Sequence, residues 1–393
     1  MARRLILILA IACVSVMLIT LTACELEPKG DRGCPSADET ESAVTASVIF
    51  APIPFHVRDG VALGYEVVTS DYAAMDYSLA KVEVYGDDEL IATYEGDDLA
   101  EMTIAPEENT AFAGAIVLLW PTFESESDVP EALSNRLYFE SNGSDDETMT
   151  YSADTTVTSQ SALTLEPPVY GDRWLALNGP GNLTGHHRAS LLMFQSAPYI
   201  SQRFAIDWVQ FGESGNVWAG DGTANEDHYA YGANLLAVAG GEVVDVKDGY
   251  PEQLPFEDPP YPVALDNAGG NYVILKLAEG VFAFYGHLIP GSAQVQVGDM
   301  VTAGDTLGLL GNSGNSTMPH LHIHICNANS GFIAQGMPYA INSYGYYGTL
   351  DSYEGEEGDV WSDTGFDTTQ AITNQLPENN DVVDFGEAEE TAQ

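Results

Sequence analysis

The sequence predicts an all-β protein in which two β-rich domains follow one another. Short runs of β-branched and aromatic residues recur along residues 45–168 and 169–350, with Gly, Asn and Asp turns between them, and neither region shows the 3.6-residue apolar period of a helix. Hydrophobic residues make up 45% of the 393-residue chain, which is too apolar for a disordered protein and long enough for two cores. We therefore expect an antiparallel β-sandwich over residues 45–168, followed by a domain built on an antiparallel β-sheet over residues 169–350.

The charge balance excludes one class of partner. The chain has 12 Lys and Arg against 59 Asp and Glu, a formal net charge of -47. Such a field repels phosphate backbones, so nucleic acid is not an expected partner. The first domain carries no predicted chemistry, because His56 is its only histidine and has no plausible catalytic partner nearby in the sequence.

The N-terminus indicates export and anchoring. Residues 1–23 combine Arg3 and Arg4 with an apolar run over residues 5–22, as in a secretory signal peptide, although an uncleaved membrane helix is an alternative. Residues 21–24, Leu-Thr-Ala-Cys, resemble the bacterial lipobox. This resemblance implies lipidation at Cys24, a membrane partner reached through that lipid, and a position on the outer or cell membrane facing the periplasm or exterior. Residues 24–44 are rich in polar and turn residues and are predicted to be a flexible tether.

The C-terminal segment and two cysteines complete the organisation. Residues 351–393 hold many acids, no Lys or Arg, and one apolar stretch at 381–385, which predicts a disordered acidic tail. Cys34 and Cys326 could form a disulfide in an oxidising compartment, or they could remain two unrelated thiols.

Histidines concentrate in the second domain. Seven of the eight lie between residues 186 and 324, and His320, His322 and His324 alternate within one short run. In a strand, alternation places these three imidazoles on one face and the intervening Leu and Ile residues on the other. Imidazoles crowded on one face repel when charged, so the pattern favours metal binding or catalysis.

An acidic residue in an apolar strand is a second signal. Asp207 lies inside the run 203–208, and a buried carboxylate is costly unless it is paired or binds a metal. A hairpin centred near residue 197 would place His187 directly opposite Asp207, with Cβ atoms about 5 Å apart. This register predicts that both residues contact one ion.

The order of motifs in residues 186–326 resembles a known family, the lysostaphin/LytM-type zinc metallopeptidases, which cut peptide cross-links of bacterial peptidoglycan. No single motif is specific, but the ordered set is. It comprises the Asp207 strand, Gly270-Asn271-Tyr272-Val273, Tyr285-Gly286-His287-Leu288, Val297-Gly298-Asp299, Gly311-Asn312-Ser313-Gly314 and Pro319-His320-Leu321-His322.

The resemblance implies roles for individual residues. Asp207 and His322 would be zinc ligands, and His287 and His320 would be the catalytic histidines. The family's first ligand motif is His-x-x-x-Asp, but Arg203 stands four residues before Asp207, and Arg stays protonated and cannot coordinate zinc. We expect His187 to supply the missing ligand, and the alternatives are His186 and His324.

The function that follows is a Zn²⁺-dependent endopeptidase that hydrolyses peptide bonds in the stem peptides or cross-bridges of peptidoglycan. The alternative is a catalytically inactive module of the same fold that binds the cell wall or regulates a partner wall hydrolase. Arg203 favours this alternative. The simultaneous presence of Asp207, His287, His320 and His322 favours the enzyme, because a lost site does not need all four.

Overall fold

The computed structural model describes residues 44–70, 76–104, 114–181, 186–195, 197–350 and 368–387. Within these ranges the chain is almost entirely strands and turns, with one short α-helix at Gly96–Glu101 and 3₁₀ turns at Glu126–Asp128 and Asn225–Asp227. The predicted all-β class is confirmed. The predictions for the signal peptide, Cys24 and Cys34 lie outside the described residues, and among the described ones no helix is long and apolar enough to cross a membrane.

The first part of the chain forms a β-sandwich. Two four-stranded antiparallel sheets, in the orders β1-β4-β8-β7 and β11-β10-β5-β6, enclose a core of alternating inward-facing residues such as Tyr65 and Leu137. Strands β2, β3 and β9 form a third, three-stranded sheet, and we call the whole part formed by β1–β11 the N-terminal sandwich. The strands of this part, including β12, are β1 (Ala46–Val48), β2 (Phe55–Val57), β3 (Gly60–Ala62), β4 (Tyr65–Thr69), β5 (Tyr77–Gly86), β6 (Glu89–Glu95), β7 (Thr103–Ile104), β8 (Ile116–Leu119), β9 (Thr122–Phe123), β10 (Ala132–Ser141), β11 (Ser144–Thr156) and β12 (Leu163–Leu165).

The second part is organised around one large sheet. Its order is β12-β24-β26-β13-β16-β23-β20-β19-β18-β21, with β25 paired to β24, and all its pairs are antiparallel except β12 with β24. The strands are β13 (Trp174–Leu177), β14 (Leu192–Phe194), β15 (Ala197–Tyr199), β16 (Ile206–Gln210), β17 (Asn234–Leu236), β18 (Gly241–Lys247), β19 (Asn271–Ala278), β20 (Val281–Leu288), β21 (Met300–Val301), β22 (Thr306–Leu309), β23 (Leu321–Cys326), β24 (Tyr339–Thr349), β25 (Gln370–Gln375) and β26 (Asp381–Asp384).

The C-terminal segment differs from the predicted disordered tail. Residues 370–375 and 381–384 form β25 and β26, and β26 lies between β24 and β13 in the large sheet. Ile372, Leu376 and Val383 are buried in the main core. The acidic composition masked these few well-spaced apolar residues, which are sufficient to hold two strands. Residues 351–367 and 388–393 of the predicted tail lie outside the described residues.

The two parts share one core. Strands β2 and β3 contribute Phe55, Val57 and Ala62 to the same buried cluster as Trp208 of the large sheet. Phe55 packs edge-on against Phe204, with ring centroids 5.2 Å apart. Strand β12 also lies before the boundary predicted at residue 168, yet it belongs to the large sheet. The N-terminal sandwich is therefore packed directly against the sheet that carries the histidines.

Candidate metal centre

Three adjacent strands bring the central residues together. Asp207 on β16 lies directly opposite His322 on β23, and His322 in turn lies opposite Gly286 on β20, one residue before His287. The apolar residues of β23 are buried in the main core, as the alternation predicted. The ladder thus fixes Asp207, His322 and His287 on one region of the sheet.

His187 reaches the same place by a different route from the predicted one. The hairpin β14–β15 pairs Phe194 with Ala197, so its register does not place His187 opposite Asp207. His187 lies in a turn at residues 186–189 instead, outside any strand. Its Nε2 is nevertheless 3.3 Å from Asp207 Oδ2. The assumed register was wrong, but the two side chains meet.

The side chains form two overlapping groups of three, joined at His322. One group is His187, Asp207 and His322, and the other is His287, His320 and His322; the nitrogen and oxygen atoms within each lie within 4.8 Å of one another. Asp207 Oδ1 is 2.9 Å from His322 Nδ1 and 3.4 Å from His320 Nε2. All five side chains are buried. Every site residue predicted for catalysis or metal binding is therefore present in one cluster.

Backbone carbonyls orient three of the imidazoles. His187 Nδ1 is 2.8 Å from Asn178 O, His287 Nδ1 is 2.6 Å from Ser313 O, and His320 Nδ1 is 2.8 Å from Met318 O. A carbonyl oxygen only accepts hydrogen bonds, so each Nδ1 carries the proton and donates. In the neutral ring this leaves a lone pair on Nε2, which is the form that binds a metal or accepts a proton.

The backbone at His287 is in the left-handed region, with a φ of 65°, which is uncommon for a residue other than glycine. Its amide donates to Gly269 O at 2.9 Å. Gly270, with a φ of 61°, packs so closely on Ser313 that a Cβ there would lie 2.4 Å from the Ser313 carbonyl carbon. The Gly270 motif therefore permits the close approach of the loop whose carbonyl orients His287.

The buried environment sets the protonation of the cluster. Burial lowers the pKa of His322 to about 4, and burial with the neighbouring His320 holds the pKa of His287 well below its ordinary value. Burial alone would raise the pKa of Asp207, but His187 and His320 hold it well below its ordinary value. Asp207 raises the pKa of His320 against the effect of burial. At neutral pH the cluster therefore offers an ionised carboxylate and neutral imidazoles at His287 and His322.

The group of His187, Asp207 and His322 fits a zinc ion. His187 Nε2 is buried, forms no hydrogen bond that satisfies geometric criteria within the described residues, and lies 3.3 Å from Asp207 Oδ2, so it is free to bind a metal. Two imidazoles and a carboxylate are a donor set that suits zinc. Ligands about 2.0–2.2 Å from one ion stand about 3.3–3.6 Å apart in a tetrahedral arrangement. Asp207 Oδ2 is 3.3 Å from His187 Nε2, at that spacing, and Asp207 Oδ1 is 2.9 Å from His322 Nδ1, somewhat closer.

The two alternative ligands, His186 and His324, are members of neither group of metal-binding side chains. His186 is exposed, with its ring centroid 5.1 Å from that of His187, and belongs to neither group. His324 is fully buried and stacks on Phe284, and its Nδ1 is 3.0 Å from His322 Nε2. It therefore contacts the candidate ligand His322 through Nε2, the ring nitrogen that does not contact Asp207. If His322 held a metal through Nδ1, its Nε2 would carry the ring proton and could donate a hydrogen bond to His324 Nδ1.

Sequence reasoning missed Asn178. Its Nδ2 donates to Asp207 Oδ2 at 2.9 Å, while its carbonyl accepts from His187, so it holds two of the three candidate ligands. It has a φ of 52° and begins the turn Asn178-Gly179-Pro180-Gly181. A turn sequence rich in Gly and Pro directly after a strand predicts a residue with a left-handed backbone conformation, so this position could have been noticed in the sequence. Its proximity to Asp207 follows from the pairing of Leu177 with Asp207.

Cys326 and Arg203, the arginine at the family's first ligand position, both form contacts outside the histidine cluster. Cys326 is a buried free thiol among the described residues, and its Sγ donates to Ala328 O. Arg203 is also buried, but its guanidinium contacts Glu66, Gln335 and Gly336 rather than the histidine cluster.

Residues 227–333 match the family model of Peptidase family M23. This match includes His287, His320 and His322. The chain therefore carries an M23 metallopeptidase domain. His187 and Asp207 precede the matched residues in sequence and join the M23 domain through the turn at 186–189 and strand β16.

Solved structures similar to this chain include three peptidases. The catalytic domain of lysostaphin from Staphylococcus simulans is 25% identical over 32% of this chain and 86% of its own, with a TM-score of 0.20. The catalytic domain of the prophage-encoded M23 protein EnpA from Enterococcus faecalis is 23% identical over 33% and 72%, with a TM-score of 0.22. A zinc-containing peptidase from Vibrio cholerae is 12% identical over 64% and 83%, with a TM-score of 0.24.

Proposed function

We propose that the protein is a zinc-dependent endopeptidase that hydrolyses peptide bonds in peptidoglycan. The observation that carries the proposal is the convergence of His187, Asp207 and His322 on one buried point, with His287 and His320 beside them. His187 supplies an imidazole in place of the histidine that Arg203 replaces, so a set of three ligands is available. The inactive alternative depended on the absence of such a ligand.

The side chains divide the chemistry between them. His187, Asp207 and His322 would hold the ion, which when bound supplies an activated water and polarises the carbonyl of the scissile peptide. His287, kept neutral by burial, can accept a proton at Nε2 from the attacking water. His320, whose pKa Asp207 raises, can hold a proton at Nε2 and donate a hydrogen bond to the developing oxyanion or a proton to the leaving amine.

Metal removal tests this function. The full chain should contain one zinc per molecule by elemental analysis and should release peptide fragments with new amino termini from purified peptidoglycan. Treatment with a chelator should abolish release, and added Zn²⁺ should restore it, because the ion supplies the activated water. Undiminished cleavage by the metal-free protein would contradict zinc dependence. A zinc-loaded protein that binds peptidoglycan without cleaving it would support the inactive module instead.

We also propose that the protein is anchored through a lipid on Cys24 and acts outside the inner membrane, within reach of the wall. The lipobox-like residues 21–24 support this location. In a bacterial host, the full chain should fractionate with membranes and label with a radioactive fatty acid, and Cys24→Ser should remove the label. A Cys13→Ser chain is the matched control, because Cys13 lies within the predicted signal peptide. Equal labelling of the Cys24→Ser chain would refute the assignment.

A further inference from the structure

A buried carboxylate, that of Glu66, joins the N-terminal sandwich to the second part of the chain. Glu66, on strand β4, accepts a hydrogen bond from Arg203 Nε at 2.6 Å through Oε2 and one from Arg188 Nη2 at 3.2 Å through Oε1. All three side chains are at most 1% exposed. The two arginines come from the second part of the chain, more than a hundred residues away in sequence.

Both arginines lie in the segments that carry candidate zinc ligands. Arg188 directly follows His187, and Arg203 precedes Asp207 by four residues. Arg203 is further fixed by Gly336 O at 2.8 Å. The carboxylate of Glu66 thus holds the two segments against the same point of the sandwich.

The segment of Asp207 is fixed by strand pairing, whereas the segment of His187 depends on side-chain contacts such as that of Arg188. Asp207 is held by its strand, which pairs on both sides with β13 and β23. His187 lies in a turn and has no ladder to fix it. Its backbone carbonyl accepts hydrogen bonds from the nearby Ser190, and its ring is held by the carbonyl of Asn178. Within the turn, Arg188 contacts the N-terminal sandwich, and just beyond the turn Leu191 packs on Val68 and Ile116.

The charges make this tie depend on Glu66. Among the described residues, Arg188 donates hydrogen bonds through Nη2 to Glu66 and to the carbonyls of Tyr65 and Leu119. Its buried Nε and Nη1 form no hydrogen bond to the described residues, and the guanidinium lies 5.3 Å from the centroid of the Trp120 ring. A buried guanidinium without a counter-charge is strongly destabilising. If the charge on Glu66 is removed, Arg188 loses its ion-pair partner and faces the like charge of Arg203. Movement of Arg188 toward solvent would take the adjacent His187 with it.

We propose that Glu66 is a positioning residue for the metal centre, through which the N-terminal sandwich holds the turn of His187 in place for metal binding. This inference rests on the proposed zinc site. It assigns a role to the N-terminal sandwich, whose side chains take no part in the proposed hydrolysis. It also gives Arg203 a function in this chain as an anchor of the ligand segments.

The test uses the full chain, since the two parts share a core. Glu66→Gln removes the charge at constant size. Glu66→Asp keeps the negative charge, so the two buried arginines retain a counter-ion during folding. Its shorter side chain moves the carboxylate away from them. Tyr65→Phe is the matched control, because it removes a buried hydroxyl, on the same strand as Glu66, that donates to Asn135, and it keeps the Tyr65 backbone carbonyl that accepts from Arg188. The readouts are zinc affinity by chelator competition, the visible spectrum of the cobalt-substituted protein, and urea unfolding of the metal-free protein.

Glu66→Gln should weaken zinc binding by up to about 10-fold, the lower end of the loss seen when a direct hydrogen-bond partner of a ligand is removed, and should change the cobalt spectrum. The zinc affinity of Glu66→Asp should lie between that of Glu66→Gln and that of the unsubstituted chain. Tyr65→Phe should lower stability but preserve both zinc affinity and spectrum. If Glu66→Gln does not fold, the comparison of Glu66→Asp with Tyr65→Phe decides.

The positioning role is overturned if both Glu66 variants bind zinc as the unsubstituted chain does. It is equally overturned if Tyr65→Phe weakens zinc binding as much as they do, since the effect would then reflect general stability. An unsubstituted chain that binds no zinc would contradict the proposed function itself. That failure is visible before any variant is made, so the two failures are distinguishable.

Discussion

Replacing His187 with alanine should abolish zinc binding. His187 Nε2 is one of three donor atoms in the candidate site, and the other two come from Asp207 and His322. Loss of one of three protein ligands leaves Asp207 and His322, which form too small a set to retain zinc against competition. Elemental analysis of the purified full chain should show one zinc per molecule before substitution and essentially none after it, and peptidoglycan cleavage should cease with it.

The matched control is the neighbouring residue. His186 is exposed and lies in neither group of metal-binding side chains, so His186→Ala should retain one zinc and full cleavage. Retention of zinc by His187→Ala would assign the ion to the other group, which consists of His287, His320 and His322. Loss of zinc from His186→Ala alone would reverse the assignment of the two adjacent histidines.

Replacing His320 with alanine should leave zinc in place but lower the kcat for peptidoglycan cleavage. The imidazole is held by Met318 O, and its Nε2 is 3.4 Å from Asp207, beside the three candidate ligands rather than among them. Loss of a positioned proton donor or acceptor costs about 10²- to 10⁴-fold in rate. The measurements are zinc content and the initial rate of amino-group release at saturating peptidoglycan.

A second buried histidine of the M23 domain provides the control. His228 is 3% exposed and contacts Gly222 O, in neither group of metal-binding side chains. His228→Ala removes a comparable buried ring, so it should destabilise the fold while keeping zinc and kcat at temperatures where the protein is folded. A normal kcat in His320→Ala would remove His320 from catalysis, and loss of its zinc would place it among the ligands.

The sequence predicted the parts of the site that are encoded locally. The alternation in 320–325 predicts which side chains share a face, and Asp207 stands out because a carboxylate in an apolar strand needs a partner. Both signals come from a few consecutive residues. The structure places these side chains together, as the period of a strand requires.

Features set by distant pairing could not be predicted in the same way. The route of His187 to the site depends on a turn at 186–189, which no hydrophobic period specifies, and the hairpin register assumed for it was wrong by several residues. The strands β25 and β26 were hidden by an acidic composition, although Ile372 and Val383 are buried. The contact of Glu66 with Arg188 and Arg203 joins residues with no shared local pattern, so only the folded chain reveals it.

The position of β26 has a consequence for the timing of activity. This strand pairs with β13, which pairs with β16, the strand that bears Asp207, so residues 381–384 fill a place inside the sheet rather than at its edge. A chain that emerges amino terminus first from a ribosome cannot close this sheet until residues 381–384 have been synthesised. Asp207 is therefore made well before the strand that completes the sheet around β13, so the candidate metal centre should form late in folding.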